Sequence, residues 1–531
     1  MSDELHTLGQ WTGDRAIATP NRIAVDDRGV VLSYRELDDR ASQLATMLTA
    51  RGYGVGDRIA TITGNSADHV VVFFACAKAG LALVPLSWRL SPRELALQLQ
   101  QADPALLLVE DEFRSLADAT TKRLIQPVVV CGLGGGGIEA DVPFPTRRSL
   151  HSSPQFREVR DDDALLIIFT SGTQGHPHGA VLSHANCFWT NLALSRTAEL
   201  TSSDTVLSVM PQYHVGGWNI QPLLAWWVGA TVVLERTFDP GRVLQLIQER
   251  GITTTMGVPA TYLFLSEHPA FASTDLSSLR HAIVGGAPMP EPLLRTWHAR
   301  NVALTQGYGL TEASPNVLCL PDEDARTKIG SAGKPYPHVE VAVADPVTGE
   351  LLDGPTAGEL LVRGPSVFSG YFRDPEQTAI ALRGGWLHTG DLVHRDEEGY
   401  FRVVDRISDI YISGGESISP SEVENVLAAH PAVAEVAVVG VPDGRWGEVG
   451  IAFVVLRKGI ATDEQELLAS CNSQLAAFKV PQRVIVKTQL PRSVANKVVR
   501  RVLVEEYLAG TKESETGEAP AATPEKNGAH P

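Results

Sequence analysis

FTSGTQGHPHGA, residues Phe169 to Ala180, is the stretch on which the reading of this chain turns. It follows an apolar run, Ala164 to Ile168, that reads as a buried strand. Gly172, Gly175 and Gly179 are interleaved with the hydroxyls of Thr170, Ser171 and Thr173. Glycine lets a backbone curl closely round an anion, so that its N–H groups, helped by the hydroxyls, converge on one point. Polyphosphate is the natural ligand of such a loop. No Gly-Lys-Ser/Thr closes it, so it is not a Walker loop. Taken alone it reads equally well as a glycine-rich surface turn, and its neighbours along the chain must decide.

Working outward, segments rich in Val, Ile and Leu alternate with helical spacings. Strands are predicted at Arg58–Thr63, Leu106–Glu110, Pro127–Cys131, Thr205–Met210 and Ala230–Leu234, and helices at Leu37–Arg51, Ala67–Lys78 and Pro92–Gln101. Such alternation predicts layered α/β subdomains with largely parallel sheets. From about Gly330 short strands and turns take over, at Val339–Asp345, Gly358–Arg363 and Tyr400–Val404. A last unit follows: helix Pro420–Ala429, strands Val433–Val441 and Ile451–Leu456, helix Asp463–Phe478 and strand Arg483–Val486. The expected fold is α/β, a large N-terminal body (1–408) with a β-rich segment, and a small mobile α+β C-terminal domain (409–510). The stretch 511–531, rich in Glu, Ala, Pro and Thr without aromatics, is expected to be disordered.

The 531 residues are too many for one core, and a formal charge of −17 disfavours nucleic acid and anionic membranes as partners. The five cysteines lack metal-site or disulfide spacing, and no apolar run approaches the ~20 residues of a membrane span. The polar, acidic start lacks the layout of a secretion signal, so a cytoplasmic location is expected.

Further motifs accompany the loop: MPQYHVGG (Met210–Gly217), GGAP (Gly285–Pro288), YGLTE (Tyr308–Glu312), HTGD (His388–Asp391), DRISDIYISGGE (Asp405–Glu416) and LPRSVANKVVRR (Leu490–Arg501). In this order they resemble the adenylate-forming enzymes, in particular acyl-CoA synthetases and aryl-CoA ligases, over nearly the whole chain. The chemistry of that family explains the residue types. A carboxylate becomes a good acyl donor once it has attacked the α-phosphate of ATP, and bringing two anions together needs cations and aimed N–H donors.

The resemblance implies roles residue by residue. Thr170, Ser171, Gly172, Thr173, Gln174, Gly175 and His178 would hold the ATP phosphates, Gly286, Ala287 and Gly309 would also bind the nucleotide, and Tyr308 would stack on adenine. Thr311 would contact the α-phosphate and Glu312 would hold magnesium. Asp391 and Arg406 would meet the ribose hydroxyls. Lys497 would bridge carboxylate and α-phosphate, Tyr213 and catalytic His214 would form the gate between the acyl pocket and the nucleotide, and Asp409 would be the hinge. The chain departs from the family in having Gln174 for Thr and His178 for Lys in the phosphate loop, and Asn496 for Gly before the lysine.

Tyr213, His214, Gly216, Gly217, Trp218, Val284 and Gly285 are expected to form the acyl pocket. No aspartate follows His214 to neutralise an α-ammonium, so an amino acid is disfavoured, and an aromatic or medium-chain acid suits the apolar lining. Trp189 and Val284 read equally as core. Gly414, Gly415, Arg445, Trp446, Phe478 and Lys479 resemble the coenzyme A side, with Arg483 a further cation; each cation reads equally as a solvated charge. The expected activity is an ATP- and magnesium-dependent acid–thiol ligase using coenzyme A, with a homodimer compatible. A carrier-protein thiol, an amine or another nucleophile is the alternative acceptor. A non-catalytic nucleotide-binding relative is the alternative of another class.

Overall fold

The computed structural model describes residues 6–134, 157–171, 177–414, 416–493 and 497–515. The chain forms two compact units, one running to Ile407 and the other comprising Ser408–Ser493 with the segment from Lys497.

In the first unit, a seven-stranded sheet runs in the order Gly370–Tyr371, Pro177–Ser183, Ala164–Ser171, Ala82–Leu86, Arg58–Ile62, Leu106–Glu110, Val130–Leu133. Its centre is parallel, and strands Ala164–Ser171 and Pro177–Ser183 form an antiparallel pair with Thr170 opposite His178. The predicted strand at Pro127 begins later, at Val130. Proline has no N–H to give to a ladder, which delays the start of this edge strand.

A second sheet has nine strands, and its parallel centre runs Leu304–Gly309, His281–Val284, Thr254–Gly257, Thr205–Ser208, Thr231–Leu234, Ile23–Asp27. The chain passes from Thr205–Ser208 to Thr231–Leu234 on one side and returns to Thr254–Gly257 on the other. Ligands of open α/β sheets gather at the carboxyl ends of strands where the order reverses in this way. The segment after Gly330 forms an antiparallel five-stranded sheet that includes Glu340–Ala344, Thr356–Arg363, Leu387–Arg395 and Phe401–Arg406.

Helix starts follow local chemistry. Ser33 and Ser91 each form a reciprocal capping box, with Glu36 and Glu94. The helix Ala67–Ala79, capped by Ser66, is apolar nearly all round and buried between sheets.

The second unit covers both faces of its sheet. Along Val433–Asp443, Val438 joins Val423, Leu427 and Leu467 in one core, while Ala437, Val439 and Val441 join Phe453, Leu490 and Leu503 in another. The helix predicted to run to Phe478 stops at Gln474, and a 3₁₀ turn follows at Ala477–Lys479. The C-terminal helix Arg500–Glu515 takes in 511–515, which composition assigns to a disordered tail. Lys512, Glu513 and Glu515 propagate a helix already nucleated, and residues 516–531 lie outside the described residues. Among the described residues no helix is long and apolar enough to cross a membrane.

Candidate active site

The glycine-rich stretch expected to hold phosphates lies in sequence between the two paired strands. Thr170 and Ser171 end one strand and His178 stands at the start of the other, with the Thr170 hydroxyl donating to the His178 carbonyl (3.4 Å). Gly172, Thr173, Gln174 and Gly175 lie outside the described residues. His178 does not project alone, because its Nδ1–H donates to Asp374 Oδ2 at 3.0 Å. Asp374 uses its other oxygen to accept from the backbone N–H of Gln377, as the cap of the helix Pro375–Ala381.

Next to this pair stands Tyr371, whose ring centre is 5.2 Å from that of His178. Its hydroxyl donates to Glu312 Oε1 at 2.9 Å, and the Glu312 carbonyl accepts from the Phe368 N–H at 2.8 Å. Burial, reinforced by the Glu312 carboxylate, pushes the Tyr371 phenol far above its usual value, so it stays a donor. Thr311 and Glu312 open a short 3₁₀ turn that is separated from Tyr308–Gly309 by Leu310 alone. Gly309 is required by packing, since a Cβ there would fall 1.7 Å from the Pro315 carbonyl oxygen.

Asp391 and Arg406 are register partners on adjacent antiparallel strands. Arg406 Nε is 3.3 Å from Asp391 Oδ1, and the Tyr308 hydroxyl donates to Asp391 Oδ2 at 2.5 Å. Asp391 is buried while Arg406 is exposed. Burial and the facing carboxylate drive the Tyr308 phenol well above its ordinary value. The turn that presents Asp391 is itself held: Glu359 accepts from His388 Nδ1 (2.9 Å) and from the Gly390 N–H (3.1 Å).

On the nine-stranded sheet, Tyr213 and His214 follow Thr205–Ser208, their rings 4.7 Å apart. Gly216 and Gly217 open a short helix. A Cβ on Gly217 would lie 2.3 Å from the Pro211 carbonyl oxygen, which explains glycine there, whereas one on Gly216 would meet ordinary contacts. Gly285 is buried, and Gly286 and Ala287 are exposed on the turn after His281–Val284.

Two of the residues expected in the acyl pocket are buried in the interior. Trp218 is fully buried, stacks on Phe73 at 4.6 Å and donates through Nε1 to the Gln212 carbonyl. Val284 lies in a core cluster with Leu207 and Met289. Both are apolar residues at positions where the strand and helix faces turn to the interior. Trp189 also lies apart, its ring against His338 and Phe188.

In the second unit, Lys497 is exposed, on a turn where its carbonyl accepts from the Ser493 N–H and its own N–H donates to Ser493 Oγ. Asp409 Oδ2 is 3.2 Å from Arg500 Nη1, and Arg500 also pairs with Glu424 at 2.7 Å. Gly414 donates its N–H to the Trp446 carbonyl, and Arg445 lies over the half-exposed Trp446 ring. Gly415 is outside the described residues. Phe478 is 44% exposed, a large apolar surface left facing solvent. Two of the three cations expected on the coenzyme A side already have anions: Lys479 Nζ lies 2.7 and 2.8 Å from the Glu422 oxygens, and Arg483 is 3.4 Å from Glu464. Opposite charges brought close by folding find each other when no ligand competes.

Tyr371, Asp374 and Glu359 are residues that sequence reasoning did not single out. Asp-Pro-Glu at 374–376 is a helix-start signature, and could have marked Asp374 as a cap, though not as the partner of His178.

Magnesium is implied by Glu312. The donor set fits: one half-buried carboxylate, with no group of three His, Cys, Asp or Glu among the described residues. Magnesium is held by one or two carboxylates plus substrate phosphates, rather than by an all-protein cage.

Comparison with known proteins agrees with this geometry. The AMP-binding enzyme model matches residues 14–372, and the AMP-binding enzyme C-terminal domain model matches 422–497. A feruloyl-CoA synthase from Amycolatopsis sp is 39% identical over 494 residues, 93% of this chain and 97% of that protein. An indoleacetate–CoA ligase from Aromatoleum aromaticum is 37% identical, covering 92% and 96%. The crystal structure of ATP-bound MatB from Rhodopseudomonas palustris superposes with a TM-score of 0.85 at 33% identity, covering 94% of this chain and 99% of that one. With the family models matched over residues 14–372 and 422–497 and relatives above 30% identity covered over more than nine-tenths of their length, the chain belongs to the AMP-binding, adenylate-forming enzyme family.

Proposed function

We propose that this chain is an ATP-dependent acid–thiol ligase that converts a hydrophobic or aromatic carboxylate to its acyl-AMP and transfers the acyl group to coenzyme A in the cytoplasm. The observation that carries the reading is the joined set Tyr308, Asp391 and Arg406, one residue beyond which Gly309 leads into Thr311 and Glu312. A carboxylate between a phenol and a guanidinium is built to accept a pair of vicinal hydroxyls, and the adjoining hydroxyl and carboxylate lie where phosphates follow.

In the first half-reaction a carboxylate oxygen attacks the α-phosphorus, the new C–O–P linkage forms, and the bond to pyrophosphate breaks. Magnesium, when bound, neutralises charge on the phosphates. Asp391 and Arg406 fix the ribose, and the loop donors orient the triphosphate. Lys497 supplies an ammonium against the two anions, a donor worth about 2.7–4 kcal/mol in a transition state. Tyr213 and His214 orient the acid. In the second half-reaction the thiol sulfur attacks the acyl carbon, the C–O bond to AMP breaks, and the thiol proton passes to solvent. Gly414, Trp446 and Phe478 are the residues we assign to the coenzyme A side. Asp409, two residues past the division between units, is assigned to the hinge.

The test is pyrophosphate release from purified protein across a panel of carboxylates, with mass spectrometry of the products with and without coenzyme A. Acyl-AMP without coenzyme A and thioester with it support the reading. ATP binding with no pyrophosphate release from any acid favours a nucleotide binder.

A further inference from the structure

Strand Leu387–Arg395 does not run evenly beside strand Thr356–Arg363. His388 lies opposite Leu361 and Leu392 opposite Glu359, so four steps along one strand match two along the other. The surplus is a β-bulge that carries Thr389, Gly390 and Asp391. An insertion of this kind bends its strand and re-aims a side chain, and such bulges recur beside active sites. Gly390 turns in the left-handed region (φ 69°), and a Cβ there would meet no atom within 4 Å. The backbone conformation, not crowding, calls for glycine.

Glu359 anchors this bulge. Its Oε1 accepts from the Gly390 N–H at 3.1 Å, its Oε2 accepts from His388 Nδ1–H at 2.9 Å, and Arg383 Nη2 lies 3.5 Å from Oε2. All three partners come from the stretch 383–390, which leads into Asp391. The same peptide is held from its other end, because the Gly390 carbonyl accepts from the Ile407 N–H at 2.9 Å. The Thr389 hydroxyl donates to the Leu360 carbonyl (2.7 Å) and accepts from the Asp391 N–H (3.1 Å). Glu359 is 7% exposed, and it alternates with Leu360 and Val362, which join the core cluster, so its side chain is on the opposite face of the strand. Burying a carboxylate is costly unless donors satisfy it, and the donors here belong to the bulge and its approach.

We propose that Glu359 is a positioning residue for recognition of the nucleotide sugar: it fixes the bulge so that the Asp391 carboxylate is aimed at the ribose hydroxyls, and it does not touch the substrate itself. A group that must accept two hydroxyls has to be held to within about 0.5 Å, and the anchoring of Gly390 at both its N–H and its carbonyl supplies that hold. The inference rests on the ligase reading above, in which Asp391 meets the ribose.

The experiment measures by calorimetry, with magnesium and without acid, the affinity for ATP and for 2′,3′-dideoxy-ATP, which lacks both sugar hydroxyls. The proteins compared are the wild type, Glu359→Ala, Glu359→Gln and His388→Ala. The wild type should bind ATP roughly tenfold or more tighter than the dideoxy analogue. Glu359→Ala should bring that ratio to within about threefold, while affinity for the dideoxy analogue changes by less than about twofold. Glu359→Gln can still accept from Gly390 and, with the other imidazole tautomer, donate to His388, so it should keep most of the ratio. His388→Ala should fall between. A ratio retained in Glu359→Ala overturns the inference, as does an equal loss for both nucleotides, which would make the glutamate structural. A wild type that binds both nucleotides alike overturns it too. Should Glu359→Ala fail to fold, the same ratio in His388→Ala decides. The expected ratios without pyrophosphate release from any acid overturn the ligase reading alone.

Discussion

The Tyr308 hydroxyl donates a 2.5 Å hydrogen bond to Asp391 Oδ2, while Arg406 lies 3.3 Å from the other oxygen of the same carboxylate. Both acceptor atoms are thus engaged from opposite sides, and a nucleotide sugar would exchange these contacts for its own hydroxyls. Removing the carboxylate deletes charge-assisted hydrogen bonds worth about 1.5–3 kcal/mol, so Asp391→Ala should raise the KM for ATP about ten- to hundredfold. Steady-state pyrophosphate release at varied ATP measures it, and an unchanged KM would remove Asp391 from the nucleotide site.

Tyr371 orients Glu312 without being expected to touch substrate. Groups that orient a metal-binding carboxylate typically cost about 10–100-fold in metal affinity or activity when lost. Tyr371→Phe should therefore raise the magnesium concentration for half-maximal rate by about tenfold. Because burial and Glu312 keep the phenol protonated, the effect should be the same from mildly acidic to mildly alkaline pH. A magnesium titration at several pH values checks both statements.

His178 stands where the family has lysine, and Asp374 accepts its N–H. A lysine there would keep an ion pair with Asp374 and add a permanent charge near the phosphates. His178→Lys is expected to lower the KM for ATP by up to about tenfold, the scale of one charge-assisted contact. Asp374→Ala removes a helix cap as well, and should cost about 1 kcal/mol of stability by urea denaturation.

Lys497→Ala should slow adenylation by roughly two to three orders of magnitude, read as ATP–pyrophosphate exchange. Thioester formation from supplied acyl-AMP should suffer much less. Near-normal exchange would exclude the lysine from the first half-reaction.

Two histidines tie stability to pH. His69 sits between Gln212 and Thr61, and His184 accepts from the Leu8 N–H; burial lowers each to about 4 from an ordinary 6.5. Both are neutral in the folded chain and charge more readily once unfolded. Their contribution is present above pH 6.5 and is lost as pH falls toward 4, about 3 kcal/mol for each at the low end. Urea midpoints measured across that window should fall, and His69→Gln should flatten the slope.

Much of the scaffold was legible because periodicity reports burial. The strand Leu106–Glu110 and the helices starting at Ala67 and Pro92 stand where apolar spacing and serine caps place them. Asp391 and Arg406 were legible as motif residues, but their register pairing is a tertiary fact that no local pattern encodes. The same limit hid Tyr371, on the edge strand Gly370–Tyr371, and Asp374, the cap of the helix that follows, which meet His178 about two hundred positions away in sequence. Trp218 is a large aromatic beside two glycines, which fits a pocket and a core equally well in sequence, and the structure adds its stack on Phe73. Lys479 shows its charge in the sequence, while the anion it meets, Glu422, is 57 positions away along the chain and is not legible there.

Tyr308 is carried by the nine-stranded sheet, whereas Asp391 and Arg406 stand on neighbouring strands of the five-stranded one. One carboxylate therefore stitches two independently laddered sheets together. A loosening of either sheet would be transmitted to the other through that single junction, so wear in the scaffold would reach this cluster from two directions at once.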